Sequence, residues 1–245
     1  MKDNFSQLAA GYAKYRPQYP EALFTYIVDF VKEKNCAWDC GTGNGQTAKE
    51  LCKYFTTVFA TDISQKQMDN AYQADNIFYS LQPAEKTNLT ENSIDLITVS
   101  QALHWFDFEK FYAEVKRVAK PNAVIAVWTY SLLQISPGIN TVIENYHFNT
   151  LANYWDAERK YVDANYATIP FPFNEIVSPP FEIKLQWSLQ DLEGYFYTWS
   201  ALQKFITANN YSPVDALMEQ IKPLWGEDEK RQIIFPVHLR LGTIK

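Results

Sequence analysis

Runs of basic residues are what this chain most conspicuously lacks. Its 245 residues carry 22 Lys and Arg against 28 Asp and Glu, a formal charge of -6, and the cations are scattered. Without a basic cluster there is no electrostatic footprint for nucleic acid or for an anionic membrane surface, and neither is expected as a partner. Histidine and cysteine are scarce, three of each. No Cys-x-x-Cys pair occurs, so no metal site is expected. An odd set of cysteines, Cys36, Cys40 and Cys52, argues against a disulfide framework and for a reducing, cytoplasmic setting. These thiols read as small buried apolar residues. No apolar run approaches the length of a membrane span, and the opening Met1-Lys2-Asp3-Asn4-Phe5 has no apolar segment of a secretion signal.

What the chain does have is apolar and aromatic material. Hydrophobic residues make up 47% and aromatic residues 16%, enough for a sizeable core and for an aromatic-walled pocket besides. Apolar runs alternate with amphipathic segments. Strands are expected at about 36–40, 57–61, 76–80, 94–100 and 123–130. Helices are expected at 5–16, from Pro20, at 45–54, from Ser64 to about 74, and at 107–119. Ser64 with Gln67 three residues on has the pattern of a capping box. Such alternation predicts an α/β fold, a doubly wound, mostly parallel sheet with helices on both faces. The rhythm breaks after Tyr130. Residues 131–178 read as a helical cap, followed by a strand at 181–189, helices at 190–208 and 213–225, and a final strand near 231–244. One domain is expected, with 1–35 as N-terminal helices, 36–130 as the core, 131–178 as the cap and 179–245 completing the sheet.

The most telling stretch is Asp39-Cys40-Gly41-Thr42-Gly43-Asn44-Gly45, where a strand ends in an acid and turns through alternate glycines into a helix. Glycines there let backbone approach a ligand closely. A second strand, Thr57 to Thr61, ends in another acid, Asp62, as in nucleoside-binding α/β units. The spacing argues against a dinucleotide: counting from Gly41, the third small residue of that fingerprint falls on Gln46, and the third glycine stands one place early. No Gly-Lys-Ser/Thr follows, which excludes a phosphate-binding P-loop.

The glycine loop resembles motif I of the class I S-adenosylmethionine-dependent methyltransferases, and Asp62 resembles that family's ribose-binding acid. Ala84-Glu85 matches the position beside the adenine, and Ile94-Asp95-Leu96-Ile97 with Gln101-Ala102-Leu103-His104-Trp105-Phe106 resembles the fourth strand and its loop. The opening Tyr12-Ala13-Lys14-Tyr15-Arg16-Pro17 is similar to the start of trans-aconitate methyltransferase-type enzymes. The resemblance covers roughly residues 5–130. It implies a seven-stranded Rossmann-like sheet, S-adenosyl-L-methionine as cofactor and methyl transfer to a small-molecule acceptor. It implies Tyr12, Arg16, Asp39, Gly41, Gly43, Asp62, Ile63, Ala84, Glu85 and Gln101 on the cofactor side. Arg16 suits the cofactor's carboxylate, and Asp39 its ammonium.

For the acceptor side the candidates are Tyr15, His104, Trp105 and Trp128. Tyr130, Tyr146, Tyr154 and Trp155 are further wall candidates, and Arg159, Lys160 and Arg240 are candidate cations. His104 is the one candidate base, though a lone His beside Trp105 and Phe106 reads better as wall than as proton acceptor. That scarcity of bases favours an acceptor already ionised, a carboxylate to be O-methylated. A nicotinamide-dependent oxidoreductase and a non-catalytic cofactor-binding protein are the competing expectations.

Overall fold

The computed structural model of the chain describes Tyr15 and residues 17–244. Tyr12, Arg16 and most of the helix expected over 5–16 lie outside the described residues. The helix expected from Pro20 is α1 (Glu21–Asp29), which buries Leu23, Phe24, Ile27 and Val28. The core then alternates β1 (Cys36–Cys40), α2 (Gln46–Leu51), β2 (Thr57–Asp62), α3 (Gln65–Met68), β3 (Ile77–Leu81), β4 (Ile94–Ser100), α4 (Phe108–Val118) and β5 (Ala119–Tyr130). After it come α5 (Pro137–Asn145), α6 (Arg159–Asp163), β6 (Asn174–Ile176), β7 (Phe181–Trp187), α7 (Leu189–Phe196), α8 (Ser200–Asn209), α9 (Val214–Trp225) and β8 (Arg231–Thr243).

The strands form one sheet in the order β3-β2-β1-β4-β5-β8-β6, with β7 also on β8. The five core strands are parallel, and β8 enters antiparallel to β5. One half of the long β8 pairs with β7, and its last residues pair with β6. The short β6 brings the total to eight strands, one more than the seven expected. Both faces of the central strands are covered, which is why β4 and β5 read as near-continuous apolar runs. Along β5, Val124, Ala126 and Trp128 join one core cluster while Ile125 and Val127 join the other, the period-two alternation of a strand between two layers.

Strand order reverses between β1 and β4, and in such sheets ligands bind outside the carboxyl ends of the strands at that point. Polar pins hold the frame. At the opposite end of the strands, Asp95 accepts from the Cys36 amide at 2.8 Å and meets Lys120 at 2.6 Å. Buried Glu114 on α4 accepts from the amide and hydroxyl of Thr87 at 2.8 and 2.6 Å, tying down the polar loop before β4.

Three local expectations are corrected. The helix after Ser64 ends at Met68, and Ser64 makes no capping hydrogen bond. Asp62 is the reason at its start: its Oδ1 accepts from the Ser64 amide at 2.9 Å and sets the turn, and at its end Asn70 donates its side chain to the Lys66 carbonyl. The single helix expected over 190–208 is two, α7 and α8, because the Thr198 hydroxyl donates to the Tyr195 carbonyl at 2.6 Å and Trp199 turns out of helical backbone. Cys36 and Cys52 are only partly buried, and Cys40 is buried.

Candidate functional site

A cavity of about 230 Å³ opens at the carboxyl ends of β1, β2, β4 and β5. One wall is the glycine loop. Gly41, Gly43 and Gly45 all have positive φ, +69°, +56° and +77°. At Gly41 a Cβ would come within 2.6 Å of the Ala102 Cβ, whereas at Gly43 it would meet nothing within 4 Å. Gly41 therefore lets two loops pack together, and Gly43 leaves its open side toward the cavity. Gly45 is the left-handed N-cap of α2, which explains why the third glycine stands at 45 and the helix begins at Gln46.

Both acids on this wall are engaged. Asp39 is 1% exposed, and its two carboxylate oxygens accept from the Thr42 and Thr98 hydroxyls at 2.6 and 2.9 Å. Burial pushes its pKa up to about 6 against those hydrogen bonds, with the Asp62 charge adding to the rise. Asp62 accepts from the Gly43 amide at 2.8 Å through Oδ2, so the end of β2 and the glycine loop are held as one unit. Ile63 follows it on the same wall. Gln101 lines the cavity with φ +53°, a strained value for a residue with a side chain, and its Oε1 accepts from Thr129 at 2.7 Å.

The opposite wall comes from distant chain. Tyr130 closes β5, Trp155 and Arg159 come from the segment after α5, and Tyr195 and Trp199 flank the α7–α8 break. Trp155 and Trp199 lie 5.5 Å apart, centroid to centroid, and His147 packs 4.7 Å from Trp155. Arg159 stacks over Trp155 at 4.6 Å and donates Nε–H to Asp163 at 2.9 Å. His104 and Trp105 sit between the two walls on the turn after β4. His104 is 8% exposed, and its Nδ1 is 2.8 Å from the Tyr166 hydroxyl.

The cavity thus unites Asp39, Gly41, Gly43, Asp62, Ile63, Gln101, His104 and Trp105 with Tyr130, Trp155 and Arg159. Other candidates stand elsewhere. Trp128 is fully buried in the core, edge-on to Tyr19 and Phe24, because its place on β5 faces α1 rather than the strand end. Tyr15 packs its ring where a Cβ on Gly194 of α7 would be. Ala84 is buried in the apolar cluster that includes Phe106, and Glu85 accepts from the Asp107 amide at 3.0 Å at the start of α4, behind the wall. Tyr146 and Tyr154 pack on Trp199 and Phe205. Lys160 lies over Tyr161, and Arg240 is held by Glu175 at 2.7 and 2.8 Å. Tyr166, Tyr195, Thr198 and Trp199 were not legible as site residues. The one available signal was Thr198-Trp199-Ser200, a poor stretch for the middle of a helix.

A model of the methyltransferase domain family matches residues 38–127, the stretch that carries the loop and β1 to β5. A Dictyostelium discoideum protein that bears the name methyltransferase is 34% identical, over 98% of this chain and 94% of its own length. The chain belongs to the class I S-adenosylmethionine-dependent methyltransferases; it is an enzyme, and S-adenosylmethionine is its cofactor. A solved structure from Anaeromyxobacter dehalogenans, described as a type II methyltransferase, is similar throughout: TM-score 0.87 at 35% identity, over 94% of this chain and 98% of that one. The Aspergillus terreus methyltransferase pgmE is 29% identical over 49% of this chain and 41% of its own length. The nicotinamide-dependent expectation is thereby set aside. Among the described residues no cluster could hold a metal ion, and no helix is long and apolar enough to cross a membrane.

Proposed function

We propose that this enzyme methylates a small molecule, a carboxylate on its oxygen, with the cofactor along the glycine loop and the acceptor against the aromatic wall. The observation that carries the reading is one cavity with two unlike walls, the Gly41–Gly45 loop with Asp62 on one side and Trp155, Arg159 and Trp199 on the other.

The chain's residues fit the cofactor. The open side of Gly43 is a cradle that a Cβ would narrow. Asp62 keeps lone pairs beyond those that meet Gly43 and Ser64, enough to accept from vicinal ribose hydroxyls. The buried charge of Asp39, held in place by the Thr42 and Thr98 hydroxyls, favours an ammonium close to the loop. Ile63 is assigned to the adenine side, with Ala84 and Glu85 supporting from behind. Gln101 is assigned to the loop wall, and Tyr12 and Arg16 to the amino-acid tail. When bound, the cofactor supplies an activated methyl carbon on a sulfonium sulfur, whose bond to that carbon breaks with its electron pair left on sulfur.

The remaining work is positional. The rings of Trp155, Trp199 and Tyr195 exclude water and orient a flat apolar body, and Arg159 offers a cation to an acidic group. Such alignment lowers a barrier by about 7–11 kcal/mol in favourable cases. A carboxylate acceptor needs no proton removed, which suits a cavity with a single histidine on its described wall. On this reading residues 131–178 and the α7–α8 break form the acceptor side of one domain, and the three unpaired thiols support a reducing, cytoplasmic setting. The test is transfer of labelled methyl to a panel of small carboxylates, phenols and amines. Turnover of a carboxylate with no turnover of amines is expected; turnover confined to amines or phenols would overturn the acceptor class.

A further inference from the structure

His147 does not line the cavity, yet it packs directly against a residue that does. It lies on a wide π-helical turn after α5, where the Leu151 amide donates to the Tyr146 carbonyl at 3.0 Å. Such turns are rare and frequent at functional sites. The residue is 1% exposed, and its Nδ1 is buried with no hydrogen-bond partner. An imidazole that leaves one nitrogen unmet in the interior costs stability, so the contacts that keep it there call for a reason.

Those contacts converge on one side chain. The His147 carbonyl accepts from Trp155 Nε1 at 3.1 Å, and its ring packs 4.7 Å from that indole. Its Nε2 lies 3.3 Å from Asp163 Oδ1. An ionised carboxylate has no hydrogen to give, so Nε2 is the donor. The same Oδ1 accepts from Arg159 Nε at 2.9 Å, and the Arg159 guanidinium lies over Trp155 at 4.6 Å. His147 therefore supports both groups that hold Arg159, the ring beneath it and the acid beside it.

The hold on Arg159 is one-sided. Asp163 takes only Nε–H, and among the described residues the terminal nitrogens of Arg159 meet no acceptor, although Arg159 lines the cavity. Terminal guanidinium N–H groups form a planar fork that matches a carboxylate. An exposed ion pair one helical turn apart contributes little. This pair differs, because its side chains are only 26% and 27% exposed and each is held from a third side, Arg159 by the Trp155 face and Asp163 by His147.

We infer that His147 is a positioning residue of the acceptor side, which through Asp163 and Trp155 holds Arg159 with its terminal nitrogens open to an acidic group of the acceptor. This rests on the methyl-transfer reading of the cavity. It gives specificity to a residue behind the wall: His147 touches no ligand and acts by aiming the cation that does.

The probe is benzoate, a flat carboxylate, with neutral benzamide as its control, titrated into the full-length protein carrying isotope-labelled arginine. The side-chain nitrogen signals of Arg159 are assigned by their loss in Arg159→Gln. Benzoate is expected to shift the terminal nitrogens and leave Nε on Asp163, and benzamide to shift neither. His147→Phe keeps a ring without the donor and is expected to weaken benzoate binding about tenfold, whereas His147→Gln, which can donate to Asp163, is expected to restore it to within about threefold. Asp163→Ala separates aiming from charge. Loss of a carboxylate that merely offset Arg159 would tighten benzoate, and loss of one that aims it is expected to weaken benzoate about tenfold. Tighter binding in Asp163→Ala, unchanged affinity in a folded His147→Phe, or an Arg159 response that benzamide matches or benzoate fails to give would overturn the inference. If His147→Phe does not fold, Asp163→Ala decides. With the best acceptor of the panel above, His147→Phe is expected to raise KM about tenfold and keep kcat within about threefold. A fall in kcat at unchanged KM would count against the role. If no acceptor turns over, the methyl-transfer reading fails and the benzoate result stands by itself.

Discussion

The two walls of the cavity are held by different forces. The loop wall is main chain: the Gly41 and Thr42 amides donate to the Thr61 carbonyl at 2.9 and 3.0 Å, Gly43 donates to Asp62, and Gly45 donates to Thr42 at 3.0 Å. The opposite wall is side chain: Trp155, Trp199, Tyr195 and His147 hold one another by ring contacts, and Trp155 donates to the His147 carbonyl at 3.1 Å. A wall of backbone tolerates few residue types at its turns, because φ decides. A wall of rings tolerates many, because shape and volume decide. The first suits a cofactor of fixed shape, and on the proposed reading the second is where the shape of the acceptor is selected.

Substitutions can break this comparison in either wall. Trp199→Ala removes a buried indole from the ring cluster and is expected to lower unfolding stability by about 4 kcal/mol in chemical denaturation. Cofactor affinity of the folded fraction should stay near wild type. Gly41→Val forces a side chain onto Ala102 at a φ suited to glycine, with an expected loss of about 3 kcal/mol. Here cofactor affinity should fall with stability, because the loop itself is displaced. If both variants spared the cofactor equally, the division of labour between the walls would be wrong.

Asp39 gives the loop wall a pH signature. Its folded pKa is raised, from an ordinary 3.8 to about 6, so its protonated form is favoured by folding. That contribution is fully present below about pH 4 and is lost as pH rises through about 6, at most about 3 kcal/mol over the window. Asp39→Asn should flatten this segment of the stability-against-pH curve, measured by urea titration at several pH values. An unchanged slope would remove Asp39 as its source. The smallest expected effect is on the other wall. Arg159→Gln should raise KM for an anionic acceptor about tenfold and leave cofactor binding alone, because Asp163 and Trp155 hold the guanidinium away from the loop.

The same contrast governs what could be read from the chain. The loop wall was legible residue by residue: Gly41, Gly43, Gly45 and Asp62 are dictated by local backbone, and strands β1 and β4 fall where their apolar runs placed them. Trp128 was misread because the alternation along β5 assigns it to the core face, and nothing in its neighbours marks the change from strand end to strand interior. Trp199 was hidden inside an apparently continuous helix that a single Thr198 hydroxyl breaks. Tyr166 was invisible, because its meeting with His104, 62 positions away, depends on a positive-φ turn that Arg240, distant in sequence, helps to hold.

The most direct test of the central claim, that the glycine-loop wall with Asp62 is the cofactor site, is isothermal titration of S-adenosylmethionine into the wild type and Asp62→Ala. The geometry predicts one-to-one binding to the wild type and a loss of about 100-fold in the variant, the equivalent of about 3 kcal/mol of charge-assisted hydrogen bonding. No heat from the wild type at millimolar cofactor, or equal affinity in the two proteins, would contradict it.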